Sequence, residues 1–189
     1  RLATEVMEAV MQSKRRATYT QMQAEWEENK NNPSWEYLPH FALYETLKQA
    51  RLKRGSIDFD LPEAEVLVDP QGDVFSIKNR SRLDSHRLIE EFMIAANEAV
   101  TDWMMEKKWP FVYRVHDEPS FKSLQKFQQL AETLGIRLYG ESLASQQAIS
   151  EVIRKLEGHP AQALLNMTFL RSMKQAIYSS THGIHYGLA

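Results

Sequence analysis

The sequence predicts an α+β fold, helix-rich and with a small antiparallel sheet, on three observations. Apolar residues recur at helical spacing in several separate segments. Two β-prone runs flank the turn Asp69-Pro70-Gln71-Gly72, a strong hairpin signal. The chain has 189 residues, of which 43% are hydrophobic, enough to build one core of ordinary size. A second full domain is not expected.

Residues 2 to 19 are poor in Gly and Pro and read as a strand running into a helix, with the basic cluster Lys14-Arg15-Arg16 near its end. After Thr18, Met22 and Trp26 stand at i, i+4 among Gln and Glu, which gives a short helix with one apolar stripe. Asn29 to Pro33 ends it. A longer helix is expected from about Ser34 to Arg54, with Tyr37, Phe41, Tyr44, Leu47 and Ala50 on one side. Pro39 delays its start or kinks its first turns. Lys48, Arg51, Lys53 and Arg54 suit its negative C-terminal pole, and Gly55 stops it.

Strands are expected at Ser56–Phe59, Ala64–Val68 and Val74–Lys78. From Arg82 to Lys107 the pattern predicts a helix about 39 Å long at 1.5 Å per residue. Its expected core stripe is Ile89, Phe92, Met93, Ala96, Val100, Trp103 and Met104. Phe111 to Val115 reads as a buried strand, Ser120 to Leu134 as an amphipathic helix closed by Gly135, and Gln146 to Leu156 as another. Gly158-His159-Pro160 ends that one, and a final helix is expected through about Tyr178. No internal repeat or low-complexity run interrupts the series.

Charged residues make up 25% and the formal net charge is −2, which excludes a disordered polyampholyte and a uniformly basic nucleic-acid sleeve. Any anion site is then a local patch. The absence of cysteine excludes a disulfide framework, a thiolate zinc site and a cysteine nucleophile, and suits a reducing compartment. No window approaches 18 apolar residues, and the N-terminus lacks the basic-then-apolar plan of a signal peptide. A soluble, cytoplasmic protein without a membrane partner is the expectation. The chain opens on Arg1 and stops at Gly187-Leu188-Ala189, which suggests a piece of something larger.

The common catalytic signatures are missing: no Gly-rich phosphate loop, no H-E-x-x-H, no G-x-S-x-G. His182 and His185 lie three apart without a third ligand nearby, which favours a turn pair over a metal site. Asp58 and Asp60 flank Phe59. On a strand both carboxylates share one face, either as a bridge for a divalent cation or, the favoured reading, as a solvated face with Phe59 on the other side. On the long helix, His86, Glu90, Met93 and Asn97 recur along one face beside the apolar stripe. That face either presents polar groups to a ligand, or Glu90 simply pairs with Arg87 or His86 at helical spacing. Lys14, Arg15, Arg16, Arg51, Lys53, Arg54, Arg80, Arg82 and Arg87 crowd the first half and form either a phosphate-binding track or ordinary solvated faces.

Five ordered strings carry a resemblance. They are Arg54-Gly55-Ser56-Ile57-Asp58-Phe59; Asp84-Ser85-His86-Arg87-Leu88-Ile89-Glu90-Glu91-Phe92-Met93 with Ala95-Ala96-Asn97; Tyr113-Arg114-Val115-His116-Asp117; Leu170-Arg171-Ser172-Met173-Lys174-Gln175-Ala176; and His185-Tyr186-Gly187-Leu188-Ala189. In order and spacing they resemble the RNB catalytic domain of the ribonuclease II and ribonuclease R exoribonuclease family, the bacterial ribonuclease R branch in particular. The resemblance runs from about Met11 to the end of the chain.

It implies processive 3′-to-5′ hydrolysis of single-stranded RNA to nucleoside monophosphates, assisted by Mg²⁺, with water as the nucleophile. It also implies that residues 1–189 are a partial RNB domain. The family's metal-binding aspartate cluster lies before this segment and its phosphate-contacting arginine motif follows it, so no catalytic or metal-binding residue is assigned within the segment and the isolated chain is expected to be inactive. Three RNA-binding roles transfer by position. Phe59 matches the aromatic that stacks on the terminal base, and Tyr19 and Glu90 match the pair that contacts ribose hydroxyls and favours RNA over DNA. The alternative is a noncatalytic RNA-binding or scaffold derivative of the RNB fold. Self-association through apolar surface left uncovered is a further expectation.

Overall fold

A computed structural model of the chain describes residues 3–56, 63–117, 119–136, 146–156, 158–183 and 185. The expected strand Ser56–Phe59 and the pair Asp58 and Asp60 lie outside the described residues, apart from Ser56. The elements in chain order are α1 (Tyr19–Asn29), α2 (Leu38–Lys53), β1 (Ala64–Val68), β2 (Val74–Asn79), α3 (Asp84–Glu106), β3 (Tyr113–Val115), α4 (Phe121–Thr133), α5 (Gln146–Lys155), α6 (Gln162–Ser172) and β4 (Ile177–Ser179). This is the α+β class, with two small antiparallel sheets among the described residues, β1-β2 and β3-β4. The chain divides into two compact units, Arg1–Ala50 with Ser81–Phe111, and Arg51–Arg80 with Val112–Ala189.

In the first unit, Thr18 starts α1 with a capping box. Its Oγ1 accepts from the Gln21 N–H at 3.2 Å, and the Gln21 side chain accepts from the Thr18 N–H at 2.8 Å. α2 begins at Leu38, so Pro39 falls in the first turn, where no backbone donor is needed. The apolar faces of the two helices meet as the pattern predicts. Trp26 lies flat on Phe41, ring centroids 4.3 Å apart, and Phe41, Tyr44 and Leu88 form the buried centre with Met22, Trp35 and Phe92 around them. The buried Tyr44 hydroxyl is satisfied by donating to Asp84 Oδ1 at 3.2 Å.

Two expectations for this unit fail. Residues 3–18 have no regular secondary structure and are largely exposed. A strand needs a partner, and among the described residues this unit contains none. On α3 the buried side is Ser85, Leu88 and Glu91, whereas Ile89, Met93 and Val100 of the expected core stripe are exposed. The apolar residues wrap more than half of the helix. The buried face is the one turned to α1 and to Phe41 and Tyr44 of α2, with which Leu88 shares its cluster.

In the second unit the hairpin β1-β2 forms around the expected turn. Asp69 Oδ1 accepts from the Gln71 and Asp73 N–H groups, both at 2.9 Å, and Gly72 takes φ +93°, a conformation that suits glycine. Its core lies elsewhere in the unit. Phe127 and Ala131 of α4, Ile149, Val152 and Ile153 of α5 with Leu156, and Leu165 and Phe169 of α6 are buried together. The 3–4 spacing within each helix is the amphipathic pattern legible in the sequence. The last helix ends at Ser172, short of the expected Tyr178. The β-branched and aromatic residues Ile177 and Tyr178 instead pair as β4 with β3, Tyr113 facing Ser179 and Val115 facing Ile177.

Candidate nucleic-acid interface

Tyr19 is the first residue of α1, directly after the Thr18 cap, and is 43% exposed. Its ring stacks on the imidazole of His86, centroids 4.1 Å apart and planes 22° apart. Two hydrogen bonds from Ser85 fasten the same corner: Ser85 Oγ donates to the Tyr19 carbonyl at 2.8 Å, and the Ser85 N–H donates to Gln23 Oε1 at 3.1 Å. His86 is itself oriented, because its Nδ1 accepts from the Leu83 N–H at 3.2 Å. A neutral ring held this way carries its proton on Nε2.

Glu90 follows His86 by one turn of α3, so the two stand on one helix face. It does not pair at helical spacing. Its Oε2 accepts from Nη2 of Arg82, at 2.6 Å, a residue just ahead of the helix. Among the described residues no second donor is recorded at this carboxylate, so Oε1 keeps its capacity to accept. Met93 and Asn97 continue the face in exposed positions. Tyr19 of α1 thus rests on His86, one helical turn before Glu90 on α3. The third expected RNA-binding residue, Phe59, lies outside the described residues.

Several of the basic residues are engaged by partners within their own units. Within the first unit Arg15 forms an ion pair with Glu25, its Nη1 donating to Oε2 at 3.0 Å, and sits over the Tyr37 ring; Arg82 is engaged by Glu90. The Arg15 hydrogen bond holds the Glu25 carboxyl below its usual pKa. In the second unit Lys78 pairs with Glu65 and Arg80 with Glu63, while Arg51 is buried and donates to Ser56 Oγ at 3.1 Å.

His182 and His185 turn to different neighbours. His182 meets the Tyr113 ring edge-on at 5.2 Å, and His185 rests against His116 at 4.3 Å. Burial, the largest cause, pushes the pKa of both His116 and His185 below the ordinary imidazole value. Among the described residues no group of three or more His, Asp and Glu side chains is placed to hold a metal ion. No helix among them is long and apolar enough to cross a membrane.

The sequence places His86 on the right face, as a group presented to a ligand or as a partner for Glu90, but not as the platform under Tyr19, and Ser85 is legible only as part of the string Asp84–Met93. Arg82 was legible only as one of many cations. The signal that could have found them is the compact run Arg82 to His86 immediately ahead of Glu90.

Comparison with known proteins identifies the relatives. Ribonuclease R of Vibrio parahaemolyticus is 35% identical over 188 residues, covering 96% of this chain and 22% of the relative. Ribonuclease R 1 of Lactococcus lactis is 38% identical over 148 residues, covering 78% of this chain and 18% of the relative. The chain therefore spans about a fifth of the length of these curated relatives. Among solved structures, Mycoplasma genitalium RNase R in complex with ribose methylated single-stranded RNA is similar, with a TM-score of 0.79 and 26% identity, covering 90% of this chain and 28% of that one. The same enzyme in complex with double-stranded RNA gives 0.77 and 25%, covering 88% of this chain and 31% of that one. The RNB domain family matches residues 2–189. On that match, and on the fold shared with RNase R, this chain belongs to the RNB domain family.

Proposed function

We propose that this chain is the RNA-gripping part of a 3′-to-5′ exoribonuclease that hydrolyses single-stranded RNA to nucleoside monophosphates, and that Tyr19, Phe59 and Glu90 contact the RNA. The observation that carries the reading is the RNB domain match over residues 2–189. The RNA-bound state of the similar Mycoplasma genitalium enzyme supports an RNA substrate. The reaction is proposed for the whole protein, Mg²⁺ included. The described residues contain no group that fits such an ion. Their work is to bind and orient.

The chemistry of sugar selection follows from the donor inventory. A carboxylate only accepts hydrogen bonds, and a ribose 2′-hydroxyl is a donor that deoxyribose lacks. Glu90, with Oε2 engaged by Arg82, offers Oε1 to that hydroxyl, and the Tyr19 phenol can donate or accept beside it. Such a bond to a charged group contributes about 1.5–3 kcal/mol, which is about one to two decades of preference for RNA.

The test is Glu90→Ala in the full-length protein, assayed on RNA, DNA and 2′-O-methyl RNA of one sequence. The methyl ether keeps the oxygen and removes the donor proton, so the wild type should treat it like DNA at this position. The variant should lose most of its preference for RNA and continue to degrade it. A preference that survives Glu90→Ala intact would return Glu90 to a plain ion pair with Arg82.

A further inference from the structure

The run Arg82 to His86 touches both members of the proposed sugar-reading pair. Arg82 holds Glu90, Ser85 holds the backbone of Tyr19, and His86 holds its ring. We infer that His86 is a positioning residue for sugar selection, a platform that aims the Tyr19 phenol at the ribose. The inference rests on the reading of Tyr19 and Glu90 as the residues that contact the sugar.

The geometry argues for a platform over incidental packing. Tyr19 is at a helix N-terminus and 43% exposed, so burial alone does not fix its ring. Among the described residues the one aromatic partner recorded for it is His86. The imidazole is held in turn by its own bond from the Leu83 N–H, so its plane is set by the N-terminus of α3 and not by Tyr19. Ser85, only 4% exposed, fixes where the Tyr19 backbone leaves the cap. A phenol constrained at both its backbone and its ring face points its hydroxyl in one direction, and that direction is referenced to the same helix that carries Glu90. Without the platform the ring regains rotamer freedom, and the cost falls on the ligand that needs it aimed.

The experiment compares Tyr19→Ala, His86→Ala, His86→Phe and the double variant Tyr19→Ala/His86→Ala in the full-length protein, reading kcat/KM on RNA and DNA oligonucleotides together with Tm. His86→Ala should lower the RNA-over-DNA ratio about three- to tenfold, the scale of a lost aromatic pair, through KM for RNA with DNA unaffected. His86→Phe, which keeps a stacking face, should restore most of the ratio. In the Tyr19→Ala background the loss of His86 should change the ratio no further. If Tyr19→Ala moves the ratio and His86→Ala does not, or if His86→Ala weakens RNA and DNA equally, the platform is refuted while the sugar reading by Tyr19 stands. If Tyr19→Ala leaves the ratio unchanged, the reading of Tyr19 fails and the platform falls with it. Should His86→Ala not fold, His86→Leu fills the volume without an aromatic face and carries the same comparison.

Discussion

Replacing Phe127 with Ala removes the centre of the second unit's core. The side chain is 0% exposed and meets Phe169 edge-on, centroids 5.0 Å apart, with residues of α5 and α6 closing around it. Deleting a fully buried phenyl loses its transfer free energy and leaves a cavity that surrounding side chains fill only in part, so the cost is about 3–5 kcal/mol. That is a large share of the roughly 5–15 kcal/mol that holds an ordinary domain together. Phe121, six residues earlier on the same helix, is 82% exposed, and Phe121→Ala should stay within about 0.5 kcal/mol. Urea unfolding separates the two, and the distribution of tryptophan sharpens the assay. All four tryptophans, Trp26, Trp35, Trp103 and Trp109, belong to the first unit, so fluorescence reads that unit while far-ultraviolet circular dichroism reads helices of both. For a urea slope of about 2 kcal/mol/M, Phe127→Ala should bring the circular dichroism midpoint down by roughly 2 M. Equal midpoints for Phe127→Ala and Phe121→Ala would refute the assignment of this core.

Two further outcomes can be checked with the same material. His116 and His185 are held below their ordinary pKa of 6.5, chiefly by burial, so below about pH 6.5 the unfolded chain takes up protons that the folded chain refuses; stability should fall from about pH 6.5 downward, with His185→Gln flattening that slope in a Tm series, and a series flat above about pH 5 would refute it. Thr18→Ala removes one half of the α1 capping box and should cost about 1 kcal/mol in denaturant unfolding, while Thr18→Ser, which keeps the acceptor, should cost much less.

Much of this architecture was legible because it is local. The 3–4 spacing of Ile149, Val152, Ile153 and Leu156 requires a helix with one apolar side, and the structure buries that side. Asp69 to Gly72 specifies a hairpin by its own turn chemistry. What failed depended on partners distant in sequence. The apolar residues of α3 surround so much of the helix that spacing alone could not say which side α1 would cover, and Ile89 and Met93 were assigned to the wrong one. Ile177 and Tyr178 continue a helical run until Tyr113 and Val115 are available to pair with them. At the site, the string around Glu90 was distinctive enough to single it out, but the stack of Tyr19 on His86 joins two helix N-termini far apart in the chain, and no pattern within either helix encodes it.

The hairpin β1-β2 carries a different kind of consequence. Val66, Val68, Val74 and Ile77 on it are all more than half exposed, so burial does little to choose between alternative alignments of its strands. The turn does, and charge reinforces it. Glu65 sits directly opposite Lys78 and is ion-paired with it at 3.3 Å, and Glu63 meets Arg80 just beyond the ladder. Sliding one strand by a single residue would turn both acids away from both bases at once. Two exposed ion pairs thus add modestly to an alignment that the turn already sets, and mobile ions in the solvent compete for the same charges. Added salt therefore removes this reinforcement while leaving the turn and the apolar cores of both units as they were, which makes ionic strength a selective handle on this one element.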